Sequence, residues 1–493
     1  MLLEPLSTAL LLTALGALLA ATVLSSRAAE QTGVPLVVVF ILVGMLAGSE
    51  GIGRIAFDNY AMAFRIGTLA LVLILFDAGL NTPLRHVRPF WAPAVSLATV
   101  GVALTAGVTA IGAWALGLPW TLSLLLGAVV SSTDAAAVFS VLRGSGLQLA
   151  RRPGATLELE SGLNDPLAIL LTIAFTAQIS NQGGGSEWWI TVLRVIRELG
   201  VGGLAGWTIG VGARALLRRI RLASTGLYPA LTLSVALLSF GVTSLIGGSG
   251  FLATFVAALV VGNANLPYRP GLVRVHDAIA WLSQIVVFLM LGLLVVPSRL
   301  AEVAPVGLAL TAIMLFIARP LATAVCLLPF RYSPRETILI GWAGLRGAVP
   351  VILATYPVLR GVPGAEYVFD LTFFVVVVNV LITGGSVPWL TRRFGLDSRE
   401  PPAPPAVLEI SSSEPLSVEL LSFFVDDALD LTGVPLSEIP FPPGVAVTLI
   451  VRGGDVIVPH PDTELHTGDH AYVVVKPEDR PFVQLLFGRP EAG

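Results

Sequence analysis

Thirteen apolar runs, separated by short polar stretches, fill most of the chain. They lie at roughly 5–26, 33–49, 62–81, 90–115, 120–142, 156–180, 190–213, 226–246, 249–263, 277–297, 303–328, 336–359 and 367–390. Each is near the ~20 mostly apolar residues that a helix needs to cross a ~30 Å hydrocarbon core. Only "GGSG" at 247–250 separates the eighth run from the ninth. The pattern predicts an all-α polytopic membrane protein of thirteen transmembrane helices.

The loops between the runs test that number. One alternate set carries Arg27; Arg85 and Arg88; Arg143, Arg151 and Arg152; Arg214, Arg218, Arg219 and Arg221; Arg269 and Arg274; Arg331 and Arg335; then Arg392 and Arg393. The opposite set offers Arg54, Arg299 and Arg360, with Arg194 and Arg197 near the start of the seventh run. Basic loop residues stay in the cytoplasm. The chain is therefore expected to start outside and end inside, which requires an odd number of spans. The first run has no basic residue before it, so it reads as a retained span rather than a cleaved leader.

After Arg393 the texture changes. A membrane domain over 1–393 is followed by a proline-rich linker at 394–405 and a polar module over 406–493. In that module "VAVTLIVRGGDVIVPH" reads as two strands joined by a Gly-Gly turn, "GDHAYVVVK" as a third, and "PEDRPFVQLLF" as a closing helix. The expectation is a small cytoplasmic α+β domain. A module of this size holds little core alone, which favours dimerisation.

Composition agrees with the hydropathy pattern. Of 493 residues, 55% are hydrophobic and 12% charged, about half the charged share of a soluble domain. Cys326 is the single cysteine, set in "LATAVCLL". It reads as a small buried hydrophobe.

Charge inside the runs matters more than net charge, because each ionisable group near a helix centre costs at least ~2.5–3.5 kcal/mol. Asp134, Asp165, Arg319 and Arg346 lie eight to ten residues from the inner ends of their runs. At 1.5 Å per residue all four fall roughly 12–15 Å deep, in one layer near the midplane. Residues that disturb helices share that layer: Pro166; Ser131, Ser132, Thr133 and Asp134 in "VVSSTDAAAV"; and Gly341, Gly344, Gly347 and Pro350 around Arg346. Pro166 is expected to open the backbone beside Asp165. Irregular backbone at such depth survives only inside protein or beside a wet cavity. Interrupted helices at matching positions of two halves point to a transporter site. The fifth and twelfth runs are seven apart and so antiparallel. Runs 1–6 and 8–13 are thus expected to form inverted repeats with two broken, crossing helices.

Spacing suggests roles. Glu160 and Asn164 share one helix face, Ser161 and Asp165 another. Asp165, Ser161 and the carbonyls near Thr133 and Asp134 offer oxygen ligands to a monovalent cation, while Glu160 and Arg319 read as a structural salt bridge. Asp77 in "LFDAGLNTPL" caps a helix end or belongs to the ion pathway, and Glu158 suits a solvated position. His276 and Asp277 fall at a loop junction. "VGGLAGWTIGVG" at 201–212 has the small-residue spacing of a helix-packing or dimer face.

"STDA" at 132–135, "ESGLNDP" at 160–166, "IAR" at 317–319 and "GLRGAVP" at 344–350 resemble the monovalent cation/proton antiporter family 1, the NhaP-type exchangers. The resemblance spans about 5–393. It implies that Asp165 is the cation- and proton-binding carboxylate, with Asn164 before it. Thr133 and Asp134 then belong to the unwound fifth helix, and Glu160 pairs with Arg319 rather than Arg346, which lies with Gly344 and Gly347 at the helix crossing. It further implies a homodimer in which a core domain moves against a dimerisation domain. The tail from 431 to 475 resembles the TrkA-C (RCK-C) domain, a combination typical of the potassium/proton antiporter subfamily. Such domains bind regulatory nucleotides, cyclic di-AMP among them.

The sequence therefore reads as a secondary antiporter of a prokaryotic inner membrane with a role in pH homeostasis. K⁺ is favoured over Na⁺ as the cation exchanged for H⁺, with no enzymatic chemistry, cofactor or nucleic-acid partner. Asp165 binds cation or proton in competition. With Glu160 paired, one carboxylate titrates and exchange is expected to be electroneutral; a titrating Asp134 would make it electrogenic. A potassium channel gated by the tail is disfavoured by the lack of a TVGYG-like filter. A serine enzyme at Ser249 lacks a His or Lys partner at that depth.

Overall fold

The computed structural model describes residues 5–32, 35–180, 188–220, 222, 224–264, 266, 268–398, 418–426, 431–453 and 455–488. The chain divides into two compact units, Met1–Ser398 and Arg399–Gly493. The linker expected at 394–405 is described only as far as Ser398.

Among the described residues, thirteen helical spans make up the first unit. Nine are long helices: Leu6–Thr32, Tyr60–Asn81, Arg88–Ala115, Arg151–Ser180, Trp188–Arg219, Leu227–Leu245, Arg269–Leu294, Pro297–Phe330 and Ala365–Phe394. Leu36–Ala47 and Gly250–Gly262 are short. The remaining two spans are each split into halves. The fifth comprises Trp120–Val129 and Ala135–Gly144, and the twelfth comprises Pro334–Trp342 and Ala348–Leu359. Exposed Leu204, Phe316 and Trp389 lie on the outer faces of these helices, as a lipid-facing surface requires.

The repeat is visible span by span. Spans five and twelve are both broken. Spans four and eleven both contain a π-turn, at Leu97–Gly101 and Met314–Ala318. Spans six and thirteen are both 30-residue helices with an internal proline. Spans two and nine are the short ones. By contact the spans form two bundles: one, two, three, seven, eight, nine and ten in one, and four, five, six, eleven, twelve and thirteen in the other.

Two local expectations fail. Span six runs unbroken through Pro166, although proline removes the hydrogen bond to the carbonyl of Gly162. That carbonyl costs a helix little when neighbouring spans pack around it, because prolines are tolerated in membrane helices whose surroundings re-satisfy the backbone. Nor is His276 at a loop junction. It is buried in the helix Arg269–Leu294, its Nε2 2.8 Å from Thr232 Oγ1 and its ring 5.0 Å from that of Phe76. The glycines of "VGGLAGWTIGVG" pack span seven against span nine: a side chain at Gly202, Gly206 or Gly210 would meet Ser249, Ala253 or Ala257. Ser249 itself caps span nine, its hydroxyl accepting from the Leu252 N–H. Cys326 is buried.

The chain leaving span thirteen is tied to the loop between spans five and six. The Ala150 N–H donates to the Leu396 carbonyl at 2.7 Å and the Ser398 N–H to the Gln148 carbonyl at 2.8 Å, around a bridge between Leu149 and Asp397.

The second unit holds an antiparallel sheet of β1 (Glu419–Phe424), β2 (Ala446–Arg452), β3 (Asp455–Ile457) and β4 (His470–Val475), in the order β1-β4-β2-β3. Its closing helix, Arg480–Phe487, buries Val483 and Phe487 on the sheet, the Phe487 ring 5.3 Å from that of Phe423. The first strand went unread in the sequence because "ELLSFF" lacks a clear alternation. Asp469 is buried before β4 and holds Arg452 through two 2.8 Å bonds; this pairing keeps the Arg452 guanidinium above its usual range.

The glycine stripe of span seven yields a stability test. A Cβ at Gly206 would lie 2.7 Å from the Ala253 Cα, whereas Gly203 faces open space. Gly206→Leu is expected to cost about 1–3 kcal/mol through overpacking and Gly203→Leu close to nothing. Thermal unfolding of the detergent-solubilised protein should separate them by several degrees.

Candidate functional site

The two broken spans meet backbone to backbone. The Asp134 N–H donates to the Leu345 carbonyl at 2.7 Å, joining unwound segments 130–134 and 343–347. This contact explains two glycines. A Cβ on Gly347 would fall on the Asp134 carboxylate, and one on Gly344 would lie 2.6 Å from Arg319 Nε. Only a hydrogen at these positions lets the chains approach.

Arg346 fastens the crossing. It is wholly buried, and among the described residues no carboxylate forms an ion pair with it. Its N–H donates to Asn379 Oδ1 at 2.8 Å, and Nη1 donates to the carbonyls of Ser131 at 2.8 Å and Ser132 at 2.5 Å. These carbonyls lost their helical partners where the fifth span unwinds. A helix end that exposes carbonyls carries partial negative charge, and a cation there is stabilising. Arg346 therefore takes up carbonyl oxygens that the sequence offers as candidate cation ligands.

Glu160 and Arg319 form a buried two-point pair, Nη1 to Oε1 at 2.6 Å and Nη2 to Oε2 at 2.8 Å. They link spans six and eleven. The second contact is a charge-assisted hydrogen bond and the first a close ion contact, and together they hold both side chains.

Three side chains of span six lace it to the unwound part of span five. Asp165 Oδ1 accepts a hydrogen bond from the Ser132 hydroxyl. Asn164 Nδ2 donates to Thr133 Oγ1 at 2.6 Å. Ser161 Oγ accepts from the Ala135 N–H at 3.1 Å, which is the first residue of the second half-helix. Asp134 caps that half-helix by accepting from the Ala137 N–H at 3.1 Å. Thus Asp165, Asn164, Ser161, Thr133 and Asp134 converge, and within this group the Ser161 and Asp134 oxygens are engaged with backbone N–H groups. Asn164 Oδ1 is buried without a hydrogen-bond partner among the described residues. An acceptor left this way suits a cation or a water molecule.

Asp77 lies elsewhere, half-buried near the end of the helix Tyr60–Asn81, where it accepts from Asn81 Nδ2 at 2.9 Å. Glu158 accepts from Thr82 Oγ1 at 2.9 Å and is partly covered. Sequence reasoning passed over Asn379, whose signal is a lone amide within "FFVVVVNVL", and did not assign the Ser132 hydroxyl to Asp165.

Comparison with known proteins follows the same division. Residues 14–393 match the family described as sodium/hydrogen exchanger, transmembrane, and residues 421–487 the TrkA-C domain. The K(+)/H(+) antiporter NhaP of Alkalimonas amylolytica is 37% identical over 476 residues, which cover 96% of this chain and 82% of that protein. The K(+)/H(+) antiporter NhaP2 of Shewanella oneidensis is 38% identical over 478 residues, covering 96% and 83%. The sodium proton antiporter MjNhaP1 of Methanocaldococcus jannaschii shares the membrane fold, with a TM-score of 0.67 at 22% identity over 78% of this chain and 99% of its own.

The buried pair makes a stability prediction. Glu160→Leu strands the Arg319 cation and should cost about 3–5 kcal/mol. The double replacement Glu160→Leu/Arg319→Met removes both charges and should recover much of that loss. Thermal unfolding of wild type, single and double variants in one detergent measures the difference.

Proposed function

The chain belongs to the sodium/hydrogen exchanger family, and from that premise we propose that it exchanges a monovalent cation for a proton by alternating access, with Asp165 binding the two in competition. The single observation that carries this reading is the difference among the three carboxylates at the helix crossing. Glu160 is held by the opposite charge of Arg319, through an ion pair and a hydrogen bond, and Asp134 by a helix end, whereas the bond described for Asp165 comes from a neutral hydroxyl. Desolvation disfavours the charged form of a buried carboxylate. An ionised Asp165 therefore needs either a proton or a cation, and taking one excludes the other.

The surrounding oxygens suit a weakly hydrated hard cation. Asn164 Oδ1 and Thr133 Oγ1 lie in the group around Asp165, and Ser161 and Asp134 hold the start of the half-helix Ala135–Gly144 beside it. K⁺ is favoured because the K(+)/H(+) antiporters match almost the whole chain, including the tail; Na⁺ is the alternative, from the likeness to MjNhaP1. With a single exchanging carboxylate, the cycle moves one cation against one proton and no net charge. The alternation of arginines between the loops supports an N-terminus outside and a C-terminus in the cytoplasm of a prokaryotic inner membrane. The bundle containing the broken spans moves against the other, which forms the homodimer contact, and the C-terminal unit regulates exchange through a small ligand of nucleotide type.

The test is proton flux in everted vesicles on adding K⁺, Na⁺ or Li⁺. Wild type should dissipate a preformed proton gradient, most strongly with K⁺, and Asp165→Asn should lose the response entirely while still reaching the membrane. Undiminished exchange in Asp165→Asn would move the site to Asp134 or Asp77.

A further inference from the structure

We propose that Ser132 is a further ligand of the exchange site, its hydroxyl serving the carboxylate, the proton and the cation in turn. The inference deepens the reading of Asp165 as the exchanging group and rests on it.

Ser132 is buried at 1% exposure in the unwound part of span five. Its two polar groups have different fates. The carbonyl is clamped by Arg346 Nη1, and Arg346 is in turn pinned by the Asn379 amide. The hydroxyl is the group that donates to Asp165 Oδ1. The backbone is thereby fixed, while the hydroxyl retains rotation about one bond. The neighbouring hydroxyl of Ser131 is committed to the Ala128 carbonyl at 2.7 Å, and that of Thr133 accepts from Asn164. Ser132 alone in the run of three points its oxygen at the carboxylate.

A hydroxyl is one donor and two acceptor lone pairs. Beside an ionised Asp165 it donates to Oδ1, the contact the structure places between them. Beside a protonated Asp165 the same oxygen accepts the carboxyl hydrogen. When a cation displaces the proton, the oxygen turns a lone pair toward it and the O–H rotates away. The orphaned Asn164 Oδ1 supplies a second neutral oxygen in the same region. It is an independent sign that the site expects a positively charged guest or a water in its place.

Ser132→Ala removes the ligand and keeps the volume and the Arg346 clamp; Ser132→Thr keeps the hydroxyl. In everted vesicles Ser132→Ala is expected to raise the cation KM about three- to tenfold with kcat near wild type, and Ser132→Thr to restore KM. A wild-type KM in Ser132→Ala overturns the proposal. So does an equal loss of kcat in both variants, which would mark a purely structural role. A second readout stands apart from transport: the concentration of K⁺ or Na⁺ that half-maximally raises the unfolding temperature of the purified full chain. It should rise by the same factor in Ser132→Ala, and an unchanged midpoint overturns the proposal even if wild type shows no exchange. Absence of cation-driven proton flux in wild type, with the midpoint shift intact, would instead overturn the exchange reading and leave the ligand assignment standing.

Discussion

A buried charge near the bilayer midplane costs at least ~2.5–3.5 kcal/mol, and broken helices at that depth strand carbonyls and N–H groups that water cannot reach. The crossing of spans five and twelve answers both costs with the same residues. Arg346 spends its charge on the carbonyls of Ser131 and Ser132, and Asp134 takes the N–H groups that open the second half-helix. Arg319 and Glu160 settle one another. After these pairings, Asp165 has the weakest hold of the three carboxylates at the crossing. At the crossing, Asp165 is thus left with the least compensation, which suits the exchange proposed for it.

The same constraint explains why so much of the site was legible in the sequence. Hydropathy alone separates thirteen runs, and the arginines in alternate loops are the reason an odd number is expected. Charges at equal depth announce a single layer. Gly344 and Gly347 looked like helix breakers, and their reason is steric: Arg319 and Asp134 occupy the space a side chain would need.

What the sequence did not yield depends on three-dimensional partners. Pro166 reads as a break, yet span six stays helical because its neighbours absorb the lost bond. His276 sits between arginines and an aspartate in sequence and looks exposed, but folding buries it against Thr232 and Phe76. Arg346 has no sequence signal telling carbonyls from a carboxylate as its partner. Ser132 is one of three adjacent hydroxyls, and only the fold distinguishes the one facing Asp165 from the two turned to other partners. The tie between Ala150 and Leu396 was equally silent, because backbone bonds carry no residue signature. It places the chain leaving span thirteen against the loop that joins the two site-bearing spans.

The claim that one carboxylate exchanges while Asp134 and Glu160 stay fixed is tested most directly by the voltage dependence of transport. In proteoliposomes, cation-driven proton flux would be measured with the membrane potential clamped at zero and at either sign. The account predicts the same flux at all three, because one cation replaces one proton. Flux that rises with one sign of potential and falls with the other would mean that a second carboxylate, Asp134 first among them, also carries protons.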